Sequence, residues 1–136
     1  MTNTKSDNTK FELSNVVDAL IAQREKWETG TYAASNAELY TLLGNTLDLF
    51  LKVRKNVGLS RAVSDLLDTY GVQYNSATSL ALKIVRLVFV GKEREAKIAN
   101  RAYTYARVLT VAAAEGVTGE QLPKFIADRH GIDEIR

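Results

Sequence analysis

The residues best suited to chemistry are seven cations and the polar run ahead of them. Lys83, Arg86, Lys92, Arg94, Lys97, Arg101 and Arg107 fall within residues 76–107, where only Glu93 and Glu95 oppose them. Gln73, Tyr74, Asn75, Ser76, Thr78 and Ser79 precede or open that stretch and supply amides and hydroxyls. Clustered Lys and Arg neutralise phosphates, and short polar side chains at the start of a helix can reach base edges or backbone oxygens. The basic character is local: residues 1–75 carry eight Lys/Arg against nine Asp/Glu, and residues 108–136 three against five, so the chain's net charge is only +2. A local excess of this kind steers partner choice more than the total does.

Catalytic chemistry finds less support. There is no cysteine, which excludes disulfides, thiolate zinc sites and a cysteine nucleophile. The single histidine, His130, stands beside Gly131 at the close of a short apolar pattern, where a cation suits the negative end of a helix. Asp65 and Asp68 are three residues apart and share a helix face, but no Glu-x-x-His pattern completes a dimetal set. Neither a glycine-rich phosphate loop, a GxSxG elbow nor a His-Glu-x-x-His pattern occurs. The expectation is a chain that is not an enzyme and needs no metal or cofactor.

Helices must position these groups. Phe11 to Trp27 repeats apolar residues at steps of three and four, and Gly30 follows as a stop. Ser35 and Glu38 have capping-box spacing ahead of a broad stripe, Leu39, Leu42, Leu43, Leu47, Phe50, Leu51 and Val53, which reads as the central helix of a bundle. Gly44 inside it costs about 1 kcal/mol against Ala, so a close approach by a neighbouring helix is expected there. Val57-Gly58-Leu59 reads as a turn, Ser60 as the cap of a helix over 61–70, and Gly71 as its end. Asn75 or Ser76 then caps a fourth helix over 77–90, and Gly91 breaks it.

A fifth helix spans about 92–115, with Ile98, Ala102, Tyr105, Ala106, Leu109 and Ala113 as its core stripe and Gly116 after its end. At about 100° per residue from Ile98, Arg94, Arg101 and Lys97 fall within about 60° of one another on one shoulder. Thr118 and Gln121 repeat the capping-box spacing before a last short helix with Leu122, Phe125 and Ile126 inward and Pro123 in its first turn. Ile132 and Ile135 are expected to dock a final turn on the body. No stretch alternates as a strand, and no Asn-Gly-type turn separates candidate strands. The fold class expected is all-α, a compact single-domain bundle of five to six helices over 11–136. Residues 1–10, with no apolar side chain after Met1, are expected as a disordered leader.

The helix, glycine and capped-helix rhythm of residues 66–86 is that of a loose helix–turn–helix. The first functional expectation is therefore a small nucleic-acid-binding regulatory or accessory protein. Its contacts would be Gln73, Asn75, Ser76, Thr78, Lys83, Arg86, Arg94, Lys97 and Arg101, with DNA or RNA as partner. The alternative is a helical protein–protein interaction module or macromolecular inhibitor. Tyr103, about 140° from Ile98 and away from the core stripe, would then anchor another protein, while residues 1–10 and the wide stripe of the second helix could equally serve a homodimer. The close of the chain, from Tyr105 to Ile132, is similar in general character to small proteins carried by plasmids and phages, and no motif in it assigns a role to a residue. The longest apolar run, Leu87 to Val90, is far short of a membrane span, and the polar start has no signal-peptide pattern. A cytoplasmic location and no membrane partner are expected.

Overall fold

The computed structural model describes residues 4–29, 36–90 and 101–136, with side chains from Leu13 to Glu28 in the first segment. Six helices follow one another: α1 (Thr4–Thr29), α2 (Asn36–Val53), α3 (Val57–Tyr70), α4 (Leu80–Phe89), α5 (Ala102–Ala114) and α6 (Leu122–Asp128), closed by a 3-10 turn (Ile132–Glu134). They pack as a single all-α bundle, with no strand among the described residues.

The broad apolar stripe of α2 places it at the centre, in contact with every other helix. Its Leu42, Leu43 and Leu47 are fully buried. Helix α4 meets the same core from the other side, with seven of its ten residues buried. Phe89 joins the two ends of this core. It stands edge-on to Trp27 with ring centroids 6.4 Å apart and tilted against Tyr105 at 4.8 Å, arrangements that suit the ring quadrupoles. The expected stripe of α5 is buried from Ala102 to Ala113, and Ile132 and Ile135 dock the last turn as their spacing predicts.

The close approach expected at Gly44 is present, but its partner is a turn, not a helix. A Cβ at residue 44 would run into the carbonyl oxygen of Gly119, and one at Gly119 would strike Gly44 and Asp48. Asp48 Oδ1 then accepts from the Gly119 amide at 2.8 Å. Two backbones meet because neither carries a side chain, and the carboxylate takes the amide that this meeting would otherwise leave without a partner.

Several ends differ from the sequence expectation. Helix α1 reaches back to Thr4, into the stretch expected as a leader. Helical geometry needs only residues that tolerate it, and neither Gly nor Pro interrupts Thr4 to Lys10. Helix α3 starts at Val57, so the segment read as a turn is its first turn. The cap is Asn56, whose side chain accepts from the Leu59 amide at 3.1 Å. Helix α4 starts at Leu80 with Ser79 as its cap, three residues later than expected. Ser35 and Ile98 lie outside the described residues.

Arg24 stands in the polar run Gln23-Arg24-Glu25-Lys26 near the end of α1, yet it is only 1% exposed. Its Nε donates to the Val88 carbonyl at 3.1 Å and its Nη1 pairs with Glu28 at 3.1 Å. A cation there satisfies a carbonyl in the last turn of α4, where the helix dipole is negative.

Candidate nucleic-acid interface

The connector 72–79 between α3 and α4 is folded by its own side chains. Asn75 Oδ1 accepts from the Ala77 amide at 2.8 Å and from the Thr78 hydroxyl at 3.3 Å, and Thr78 Oγ1 accepts from the Asn75 amide at 3.0 Å. This local exchange is what Asn and Thr do in turns. It explains why Asn75 does not cap α4. Ser79 does, its hydroxyl accepting from the Leu82 amide at 3.2 Å. Ser76 lies exposed in the turn between them.

Two cations from the polar edge of α4 hold this connector down. Lys83 Nζ sits 4.9 Å from the centre of the Tyr74 ring and donates to Ser64 on α3 at 3.2 Å. The Tyr74 hydroxyl donates in turn to Asp68 at 3.2 Å. That bond to a carboxylate comes first among the influences that raise the Tyr74 pKa above 10.0, followed by desolvation and the charge of Asp68. One turn on, Arg86 Nη1 donates to the Gln73 carbonyl at 3.2 Å and Nη2 to the Tyr103 hydroxyl at 3.3 Å. The guanidinium carbon is 5.6 Å from the Tyr103 ring centre, within the range of a cation–π contact.

Tyr103 is 62% exposed despite this contact. Arg86 lies over the ring and reaches its hydroxyl, and the rest of the side chain still meets solvent. Arg107 is exposed one turn further along α5, four residues from Tyr103 and on the same side of the helix. The described surface here therefore alternates cation and aromatic ring: Tyr74 with Lys83, Arg86 with Tyr103, and Arg107 beyond.

Of the residues expected to form one basic face, Arg86 is bonded directly to Gln73, Lys83 lies against Tyr74 next to it in the chain, and Asn75, Ser76 and Thr78 lie on the adjoining turn. Arg101 turns instead to the end of the chain, pairing with Asp133 at 3.2 Å and lying 5.6 Å from the Tyr105 ring centre. The Tyr105 side chain and then Asp133 hold the Arg101 pKa above its usual value, against the cost of partial burial. Arg94 and Lys97 lie outside the described residues. The helix–turn–helix rhythm is not matched in geometry. The connector 72–79 replaces a tight turn, and α4, which would be the reading helix, gives most of its surface to the core. The spacing of Gly71 and the polar residues suggested the motif. The continuous apolar run of α4 was the contrary signal, because a helix apolar on most sides is buried.

Tyr103 was expected as a protein anchor and proves to be the ring that Arg86 contacts. That pairing could not be read from spacing, since residues 86 and 103 belong to different helices. His130 is exposed at a positive φ of 68° just after α6. Asp68 is engaged with Tyr74, and no group of three or more potential metal ligands occurs among the described residues. None of the described helices is long and apolar enough to cross a membrane. The chain matches no family model, no curated protein and no solved structure.

Proposed function

We propose that this chain is a small nucleic-acid-binding regulatory or accessory protein. Its contact surface is the face that joins the 72–79 connector, the polar edge of α4 and the start of α5. The observation that carries this reading is the exposed Tyr103 ring held against Arg86, with Lys83 one turn before Arg86 on α4 and Arg107 one turn beyond Tyr103 on α5. Cations that flank an open aromatic ring combine charge for phosphates with an apolar plane for a base. The proposed mechanism is phosphate neutralisation by Lys83, Arg86 and Arg107. No catalytic step and no cofactor form part of it.

The test is binding of fluorescently labelled oligonucleotides across a salt series. Three phosphate contacts give a log–log slope of about −2.1 on a single strand and about −2.7 on a duplex. Arg107→Glu should flatten the slope by about one unit. Arg107 is the better position to change because Arg86 also supports the connector. Affinity that ignores salt, or a slope unmoved by Arg107→Glu, overturns the assignment. A second reading uses the same pair differently: Tyr and Arg are the types enriched at the energetic centres of protein interfaces. A helical interaction or inhibitor module would keep its partner at salt concentrations that release an oligonucleotide.

A further inference from the structure

We infer that the ligand of this face is a single strand, DNA or RNA, gripped by a base stacked on Tyr103. This rests on the nucleic-acid reading above and deepens it. The ring is 62% exposed and lies on the outward strip of α5, with Arg86 over it, reaching its hydroxyl, and Arg107 one turn away. A base in a duplex already has both faces covered by its neighbours, and bringing it to such a ring requires unstacking at a cost of a few kcal/mol. A single strand offers its bases at little cost, while its phosphates can follow the flanking cations.

The same face is poorly equipped to read a duplex. Groove reading needs side chains with free donors and acceptors at the start of a protruding helix. Here the Asn75 Oδ1 and the Thr78 hydroxyl are spent on each other and on the connector backbone, and the Ser79 hydroxyl caps α4. Helix α4 is also anchored in the core along most of its length. Beside the exposed Gln73 and Ser76 of the connector, the face presents a ring and cations, which take any base and do not select a sequence.

The experiment compares a labelled oligothymidylate, an oligouridylate and a mixed-sequence duplex, with wild type, Tyr103→Phe and Tyr103→Leu. Thermal melting confirms that each variant folds. Wild type should bind a single strand more tightly than the duplex. Tyr103→Phe, which keeps the ring and loses only the hydroxyl contact, should bind within about threefold of wild type. Tyr103→Leu should lose between about five- and a hundredfold on single strands, the effect of removing one stacked base. The preferred sugar identifies the source of the strand as DNA or RNA. Duplex binding at least as tight as single-strand binding, or a Leu variant with undiminished affinity, overturns the stacking inference and leaves the nucleic-acid reading standing. No binding to any of the three at low salt overturns both.

Discussion

Two contacts within the bundle show opposite uses of a small protein's surface. Where α2 meets the turn before α6, Gly44 and Gly119 bring backbone against backbone and Asp48 takes the remaining amide. Where α4 meets α5, Arg86 reaches a Tyr103 ring that stays largely in solvent. The first contact has no space for another atom, and its polar groups are satisfied within the chain. The second leaves an aromatic plane and charged groups facing outward, although closing the bundle does not require them there. Ring and charge left outward, with the core already complete, are what single out the second as the place to look for a ligand.

Gly44→Ala breaks this comparison hardest if it is tolerated. The added methyl would meet a carbonyl oxygen, which cannot rotate away as a flexible side chain could, so the helix or the Gly119 turn must shift. Overpacking of this kind costs about 3 kcal/mol. Urea denaturation should show a correspondingly lower midpoint. A midpoint near that of wild type would mean that the seam has slack and that the two contacts differ less than their geometry suggests.

A smaller effect separates the caps of α4. Ser79→Ala removes the hydroxyl that accepts from the Leu82 amide and should cost about 1 kcal/mol. Ser76→Ala, in an exposed turn position, should stay within about 0.5 kcal/mol of wild type. Equal effects would place the helix start nearer Ser76, where the sequence alone suggested it. Asn75, Ser76 and Ser79 all have cap-forming side chains within one short polar run. Only the competing bonds of Asn75 with Ala77 and Thr78 decide among them, and those depend on the connector's path.

The same distinction marks how far the sequence was legible. Periodic apolar residues gave the α2 stripe, the α5 stripe and the docked isoleucines, because burial repeats with the helix and leaves a pattern in the chain. Gly44 signalled a close approach for a similar reason, since a glycine inside a helix is costly without a use. Its partner, Gly119, is far away in sequence and left no matching signal. The burial of Arg24 is not legible in the sequence because charge alone argues for solvent, whereas the carbonyl of Val88 that holds it inside is contributed by another helix. The candidate site follows this rule. Its cations were visible as a local excess, but the pairings of Lys83 with Tyr74 and Arg86 with Tyr103 arise from tertiary packing.

The smallest expected effect concerns tyrosines that, unlike Tyr103, donate to carboxylates. Tyr70 donates to Asp18 on α1 at 2.9 Å, and Tyr74 to Asp68 at 3.2 Å. Burial first, and then the Asp18 bond and charge, raise the Tyr70 pKa, while for Tyr74 the bond to Asp68 leads. A raised folded-state value means that the native protein holds these protons more tightly than the unfolded chain does. The stabilisation is therefore complete below the ordinary value of 10.0 and fades as pH rises through the higher folded values. The urea midpoint should fall between about pH 8 and about pH 11, and it should fall less in a Tyr70→Phe, Tyr74→Phe double variant, which has no phenolic proton to lose at either contact. Parallel falls in the two proteins would assign the alkaline sensitivity to other groups. A smaller fall in Tyr70→Phe alone would locate it at the α1–α3 contact, while one confined to Tyr74→Phe would locate it at the connector that Lys83 and Arg86 hold in place.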